Sequence, residues 1–341
     1  MHIKGFFTQF SQSRVVWSFS LIILGLLLGL LGILFHPAVK PVKVLANDPL
    51  LKPYVEDLKN RIKNDLKGKV PEEYIEEVFS SPELAYLPNL MIKRLTWKET
   101  KLPYHQFLED QRVERAKNFL KENLEFLENL EKNFGVDKEV IVAILLVETN
   151  LGQNTGKFPV FNVFFSLTLS GNKDLLKNFV YDETISLDDE RNSNIIAKRS
   201  NWAYNELLHF LTICYQNKWD PFSIKGSIFG AFGYPQFVPK SYVIYGYDWD
   251  QDGKVDLFKM EDALASIANY LKKEGYNLNG TVEEKKAVIM KYNISEPYAN
   301  TVLAIAERLK KTEQEASSQT EQKEAENQEK NSEKKDEPNN R

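Results

Sequence analysis

The stretch "DKEVIVAILLVETNLG", residues 137–152, constrains the fold more than any other. Read as a helix from Asp137 to Leu151, it places Val140, Ile141, Ile144, Leu145 and Val147 around most of its circumference. A helix apolar on nearly every side has to be wrapped by other elements. Asp137 can cap its start, and Gly152 suits the left-handed position just past its end. The segments available to wrap it are also helical in pattern. Residues 109–134 carry apolar positions at helical spacing among many charges, and read as one long amphipathic helix stopped by Gly135. "NWAYNELLHFLTICYQNK", residues 201–218, reads as another, with further helices near 261–274, 281–291 and 296–311. No strand ladder and no internal repeat is visible. The expected fold class is mainly α.

The flanks differ in composition. Residues 36–48 contain Pro37 and Pro41 and read as an extended linker. From 49 to 100 short helices are broken by prolines, with Pro71 at a helix-start position. The polar insert 181–200 reads as a surface loop. Lys311 to Arg341 has no Ile, Leu, Val, Phe, Tyr or Trp, so it cannot bury enough apolar surface to offset its ordering entropy; it is expected to be disordered.

Val15 to Phe35 carries no charge. A helix of that length spans about 30 Å at about 1.5 Å per residue, the thickness of a bilayer core. The run exceeds the roughly 7–15 apolar residues of a signal peptide, so an uncleaved anchor is expected, with cleavage near "VLAND" as the alternative. No cysteine follows closely enough to take a lipid. Lys4 and Arg14 precede the span and Lys40 and Lys43 follow it, so flanking charge hardly sets its orientation. The net charge of -4 argues against nucleic acid as the main partner, because phosphate neutralisation needs a basic face. Cys214 is the single cysteine, which excludes an internal disulfide; its apolar surroundings predict a buried, inert thiol.

Three stretches carry chemistry. Glu148 lies in the last turn of the apolar helix, where desolvation and the negative helix end both favour its protonated form. A carboxyl group protonated near neutral pH can act as a general acid; a Glu at a helix end can equally be exposed or paired with a cation. "KGSIFGAFGYPQFVPKSY" interleaves Gly226, Gly230 and Gly233 with Phe229, Phe232, Tyr234 and Phe237. Aromatic faces stack on sugar rings, while Ser227 and Gln236 offer hydrogen bonds, so the stretch suits a carbohydrate cleft; packing through small residues is the plainer reading. "DWDQDGKVDLFKMED" sets Asp248, Asp250, Asp252 and Gly253 at the opening positions of an EF-hand loop, and Lys254 can offer its carbonyl. Position 12 is Lys259, which cannot ligate a cation, so Asp262 supplies the last carboxylate only if the loop is longer.

These stretches, in this order, resemble the lytic murein transglycosylase B family, over roughly residues 100 to 310 and including "YNISEPYANTVL". The resemblance implies a lysozyme-like helical catalytic domain over 101–310; the composition read above places around it a cytoplasmic segment 1–14, a transmembrane anchor 15–35 where the family often has a lipid anchor, a linker with helices 36–100 and a tail 311–341. It implies Glu148 as the single acid/base, Ser227 beside it, and Gln236, Asn293 and Tyr298 lining the saccharide cleft. It implies an elongated calcium loop using Asp248, Asp250, Asp252, the Lys254 carbonyl and Asp262, with Ca²⁺ structural and no organic cofactor. The implied activity is non-hydrolytic cleavage of peptidoglycan to 1,6-anhydro ends, by a single-pass inner-membrane protein facing the periplasm. Val238 and Lys240 depart from the Met and Ser that the family commonly has there. Rival readings are a non-catalytic peptidoglycan-binding scaffold, a hydrolytic lysozyme, and a calcium-responsive regulator. One incomplete loop in a chain with 4 methionines argues against the last.

Overall fold

The computed structural model describes residues 43–45, 47–96 and 103–311. The expected anchor at 15–35, the segment before it and the tail from 312 onward lie outside the described residues. Among the described residues no helix is long and apolar enough to cross a membrane.

The helices, in chain order, are α1 (Lys52–Asp65), α2 (Glu72–Phe79), α3 (Asn89–Thr96), α4 (Asp110–Glu122), α5 (Leu124–Phe134), α6 (Lys138–Thr149), α7 (Val160–Leu169), α8 (Lys173–Lys177), α9 (Glu190–Asn217), α10 (Pro239–Tyr245), α11 (Met260–Lys273) and α12 (Val282–Tyr292). A last helix, α13, covers residues 296–311. Lys311 therefore belongs to a helix and not to the tail. The mainly α expectation holds. Among the described residues strands are limited to two antiparallel pairs of two residues each: β1 (Val44–Leu45) with β2 (Ala85–Tyr86), and β3 (Phe158–Pro159) with β4 (Lys225–Gly226).

Helix α6 is central, as its composition requires. Every residue from Glu139 to Thr149 is buried, and α4, α5 and α11 pack around it. The single long helix expected over 109–134 is two. Asn123 breaks it: its side chain bonds back to the Phe119 carbonyl at 2.8 Å, competing with the helical ladder. The break lets each half turn its own apolar stripe inward, Val113, Ala116 and Leu120 on α4, and Leu127, Leu130 and Phe134 on α5. Gly135 then ends α5 in the left-handed region, as expected.

Two other boundaries differ from the sequence reading. α6 stops at Thr149, and Asn150, Leu151 and Gly152 are all left-handed. The Thr149 hydroxyl accepts the Gly152 N–H at 3.0 Å, which holds this tight exit. The insert 181–200 is only half loop. α9 begins at Glu190, capped by the Asp189 side chain, and buries Ile196, Arg199 and Ser200 before the expected start at Asn201. That first turn pattern is polar, but α9 lies along α7, which is buried along almost its whole length. Tertiary packing thus extends the helix beyond what its own periodicity predicts. Cys214 is buried in α9, as expected, and burial pushes its thiol pKa upward.

Candidate active site

Glu148 is 2% exposed, in the last turn of α6. Its single hydrogen-bond partner among the described residues is the Tyr298 hydroxyl of α13, which donates to Oε1 at 2.6 Å. Among the described residues no cation pairs with it. Burial pushes its pKa up to about 8; the Tyr298 hydrogen bond pulls the other way and loses. The Tyr298 hydroxyl is itself held well above its ordinary pKa, first by burial and then by the Glu148 charge, so it stays a donor. Tyr292 is similarly raised and also feels Glu148, while its hydroxyl donates to the Pro235 carbonyl at 2.6 Å. Tyr104 packs edge-on against Tyr298, with ring centroids 6.4 Å apart. The acid therefore sits in an aromatic box with one polar contact.

The chain just after Glu148 is stapled to the glycine-aromatic stretch. The Thr149 hydroxyl bonds the Tyr234 carbonyl at 3.1 Å, and the Gln236 amide donates to the carbonyls of Thr155 and Gly233 at 3.1 and 2.9 Å. Gln236 is buried and left-handed, with φ 51°, so it braces the turn. Ser227 is also buried. Its hydroxyl accepts the N–H groups of Phe229 and Ala231 at 3.3 and 3.2 Å, and no hydrogen bond joins it to Glu148. Gly156 explains the close approach of these segments. A Cβ there would lie 2.0 Å from the Gly226 carbonyl carbon, and φ is +101°. Asn293 is buried at the end of α12, next to Tyr292.

The expected role of the aromatics is corrected. Phe232 and Phe237 are completely buried and Phe229 nearly so; of the four, only Tyr234 is half-exposed. Phe237 packs on Tyr292, with centroids 5.9 Å apart. Phe229, Phe232 and Phe237 are too buried to stack on a sugar and belong to the core behind the stretch; Tyr234 keeps an open face. Alternating glycines let the backbone press against the core, so the rings turn inward.

In the acidic loop, carboxylate oxygens of Asp248, Asp250 and Asp262 lie within 4.8 Å of one another. Asp248 Oδ1 is buried without a hydrogen-bond partner, and Asp262 accepts the N–H groups of Trp249 and Asp256 at 2.9 and 2.8 Å. An orphaned carboxylate oxygen facing two others suits a hard cation. Asp252 is not in that group; its carboxylate accepts the Lys254 N–H at 2.9 Å. Lys259, excluded as a ligand by its chemistry, sends its ammonium to Asp250 and so stands in for a cation.

Sequence reading passed over Thr149, Tyr292, Tyr104 and Glu206. Tyr292 directly precedes the flagged Asn293. Glu206 interrupts an apolar helix face much as Glu148 does. It is 2% exposed, accepts the Lys240 N–H at 2.9 Å at the start of α10, and burial pushes its pKa up to about 7.

The family described as "Transglycosylase SLT domain" matches residues 52–285, taking in the flanking helices α1–α3. The membrane-bound lytic murein transglycosylase B of Escherichia coli (strain K12) is 32% identical over 143 residues, covering 42% of this chain and 33% of that protein. The alignment thus spans about a third of that relative's length. The soluble lytic transglycosylase SltB1 of Pseudomonas aeruginosa superposes with a TM-score of 0.61 at 22% identity, covering 76% of this chain and 99% of that one. Escherichia coli Slt35 in complex with calcium gives 0.59 at 21%, covering 78% and 94%. Pseudomonas aeruginosa SltB3 in complex with NAG-NAM-pentapeptide gives 0.61 at 20%, covering 75% and 79%. With a buried, cation-free carboxyl group at the end of a central helix and a match over most of its length, the chain belongs to the transglycosylase SLT domain family.

Proposed function

We propose that this chain is a peptidoglycan lytic transglycosylase in which Glu148 acts first as acid and then as base. The observation that carries the reading is a carboxyl group 2% exposed, unpaired by any cation, and raised to a pKa of about 8 by burial. Such a group keeps its proton at neutral pH and can give it up when a leaving oxygen arrives. Glu148 protonates the oxygen joining N-acetylmuramic acid to N-acetylglucosamine. The substrate's acetamido group steadies the positive charge at C1. The muramoyl C6 hydroxyl then attacks C1 and returns its proton to Glu148. The product is a 1,6-anhydro sugar and no water is consumed. Tyr298 stabilises the carboxylate formed midway, because a hydroxyl donated to the charged form favours it.

Gln236, Ser227 and Asn293 serve the glycan cleft, Ser227 and Gln236 by shaping its backbone. Asp248, Asp250 and Asp262 would hold Ca²⁺, joined by Asp252 and the Lys254 carbonyl if the loop closes on the ion, and the ion would supply stability and not chemistry. The catalytic domain spans 101–310, and residues 15–35 anchor it in the inner membrane, facing the periplasm. Mass spectrometry of digested peptidoglycan tests the activity. Anhydro-muropeptides, one water lighter than reducing ends, are expected. Reducing ends would indicate a lysozyme, and no release a binding scaffold. Glu148→Gln is expected to lower turnover by about 10²–10⁴-fold or more while the fold survives.

A further inference from the structure

The start of α6 holds a second buried acid that this chemistry does not use. Asp137 is 3% exposed and occupies the N-cap position, yet its carboxylate does not cap its own helix. It accepts instead from the Tyr276 hydroxyl at 2.5 Å, from Lys285 of α12 at 2.7 Å, and from Lys310 of α13. Lys138 lies 3.2 Å from Glu139 and 3.8 Å from Glu131. Glu131, Asp137 and Glu139 thus face Lys138, Lys285 and Lys310, three acids against three lysines, with Glu139 Oε2 left without a hydrogen bond.

Its position matters because α13 meets α6 twice. Tyr298, near the start of α13, bonds Glu148 at the end of α6; Lys310, near the end of α13, bonds Asp137 at the start of α6. Eleven residues separate the two acids and twelve separate their partners. At about 1.5 Å per residue these spans are about 16 and 18 Å, so two antiparallel helices are pinned at both ends in one register. A slip of one residue would turn Tyr298 by about 100° away from the carboxyl group. We propose that Asp137 and Lys310 are a positioning pair that fixes the register of α13 and holds the Tyr298 hydroxyl on Glu148. The inference rests on the reading of Glu148 as the acid/base.

The test compares two neighbouring lysines in the full chain. Among the described residues Lys311 pairs with the exposed Glu307, at 2.7 Å on the same helix, so Lys311→Gln removes the same charge without touching the network. Tyr298 and Tyr292 are the titratable groups that bear on Glu148. Loss of the Tyr298 hydrogen bond leaves burial unopposed, so the Glu148 carboxyl carbon followed by NMR is expected to titrate at higher pH in Lys310→Gln. In Lys311→Gln it stays at the parent value, and Lys310→Arg restores it. On peptidoglycan, Lys310→Gln is expected to lose turnover of the order of tenfold with KM little changed. Its alkaline limb moves up with the titration. Identical titrations in Lys310→Gln and the parent overturn the proposal. Should the titration shift while even the parent cleaves nothing, the positioning stands and the catalytic reading falls. Lys310 is half-buried at the helix end, so its glutamine variant is expected to fold. If it does not, Asp137→Glu, which keeps the charge but moves it, reads the same titration.

Discussion

The two ends of α6 carry acids of nearly equal burial, Asp137 at 3% exposure and Glu148 at 2%. They ionise in opposite directions. Burial alone would raise both. At Asp137 the hydrogen bonds from Lys285, Lys310 and Tyr276 outweigh it and hold the carboxyl below its ordinary pKa. At Glu148 a single neutral hydroxyl faces the group, and burial wins. The helix ends add to the contrast, since the positive N-terminus favours an anion and the negative C-terminus disfavours one. Burial therefore does not decide what a carboxyl group does. Its charged neighbours do, and they come from α12 and α13.

The largest expected effect breaks the Asp137 end. Asp137→Asn leaves two lysine ammonium groups without their buried anion, and is expected to cost about 3–5 kcal/mol in denaturant unfolding. The same comparison predicts opposite pH slopes. Asp137 has a folded pKa below its unfolded one, so its stabilisation is present above the ordinary carboxylate range and is lost as pH falls through the folded pKa. Glu148 has a folded pKa of about 8 against 4.5 ordinarily. The folded chain keeps a proton that the unfolded chain releases, so stability is full below 4.5, declines as pH rises, and levels off above about 8. Glu148→Gln removes that decline. Its urea midpoint should exceed the parent's near pH 8 and match it near pH 4. A parent curve that is flat between those values would contradict the protonated carboxyl.

A third group of carboxylates sharpens the contrast. In the Asp248 loop a single lysine, Lys259, meets the carboxylates, whereas two lysines from packed helices converge on Asp137. A lone ammonium can be displaced by an ion that three converging oxygens hold better. Millimolar Ca²⁺ is expected to raise the melting temperature by a few degrees, and a chelator to reverse it. Asp248→Asn, which neutralises the orphaned oxygen's carboxylate, should abolish the shift. The smallest effect on stability is expected for Tyr298→Phe, although it should lose turnover at least as far as Lys310→Gln. It removes the one group favouring ionised Glu148, so the alkaline limb of activity should move up by about one pH unit or less. Phe keeps the ring contact with Tyr104, so stability should change little by thermal melt.

Much of the fold was legible from local pattern. α6 announced its burial because its apolar residues leave no polar face, and Gly135 announced the end of α5 because the left-handed exit favours glycine. The break at Asn123 was hidden, because a single Asn carries no periodic signal and its back-bond to Phe119 depends on how both halves pack. The first three turns of α9 were hidden for a related reason: their burial is supplied by α7, which lies elsewhere in the chain. The site was legible in its acid and opaque in its surroundings. Glu148 stood out against an apolar run, but the glycine-aromatic stretch pointed to rings open to a ligand, and the rings point inward.

The residues themselves determined that a helix carrying Glu148 would be buried and that an acidic loop would follow it, since apolar periodicity and the spacing of carboxylates are local properties. Whether a buried acid is charged is not local. Tertiary structure alone decided that Asp137 would meet two lysines and Glu148 only a tyrosine. Those partners lie about 150–170 residues further along the chain, and the energy of a buried charge depends on what stands within a few ångströms.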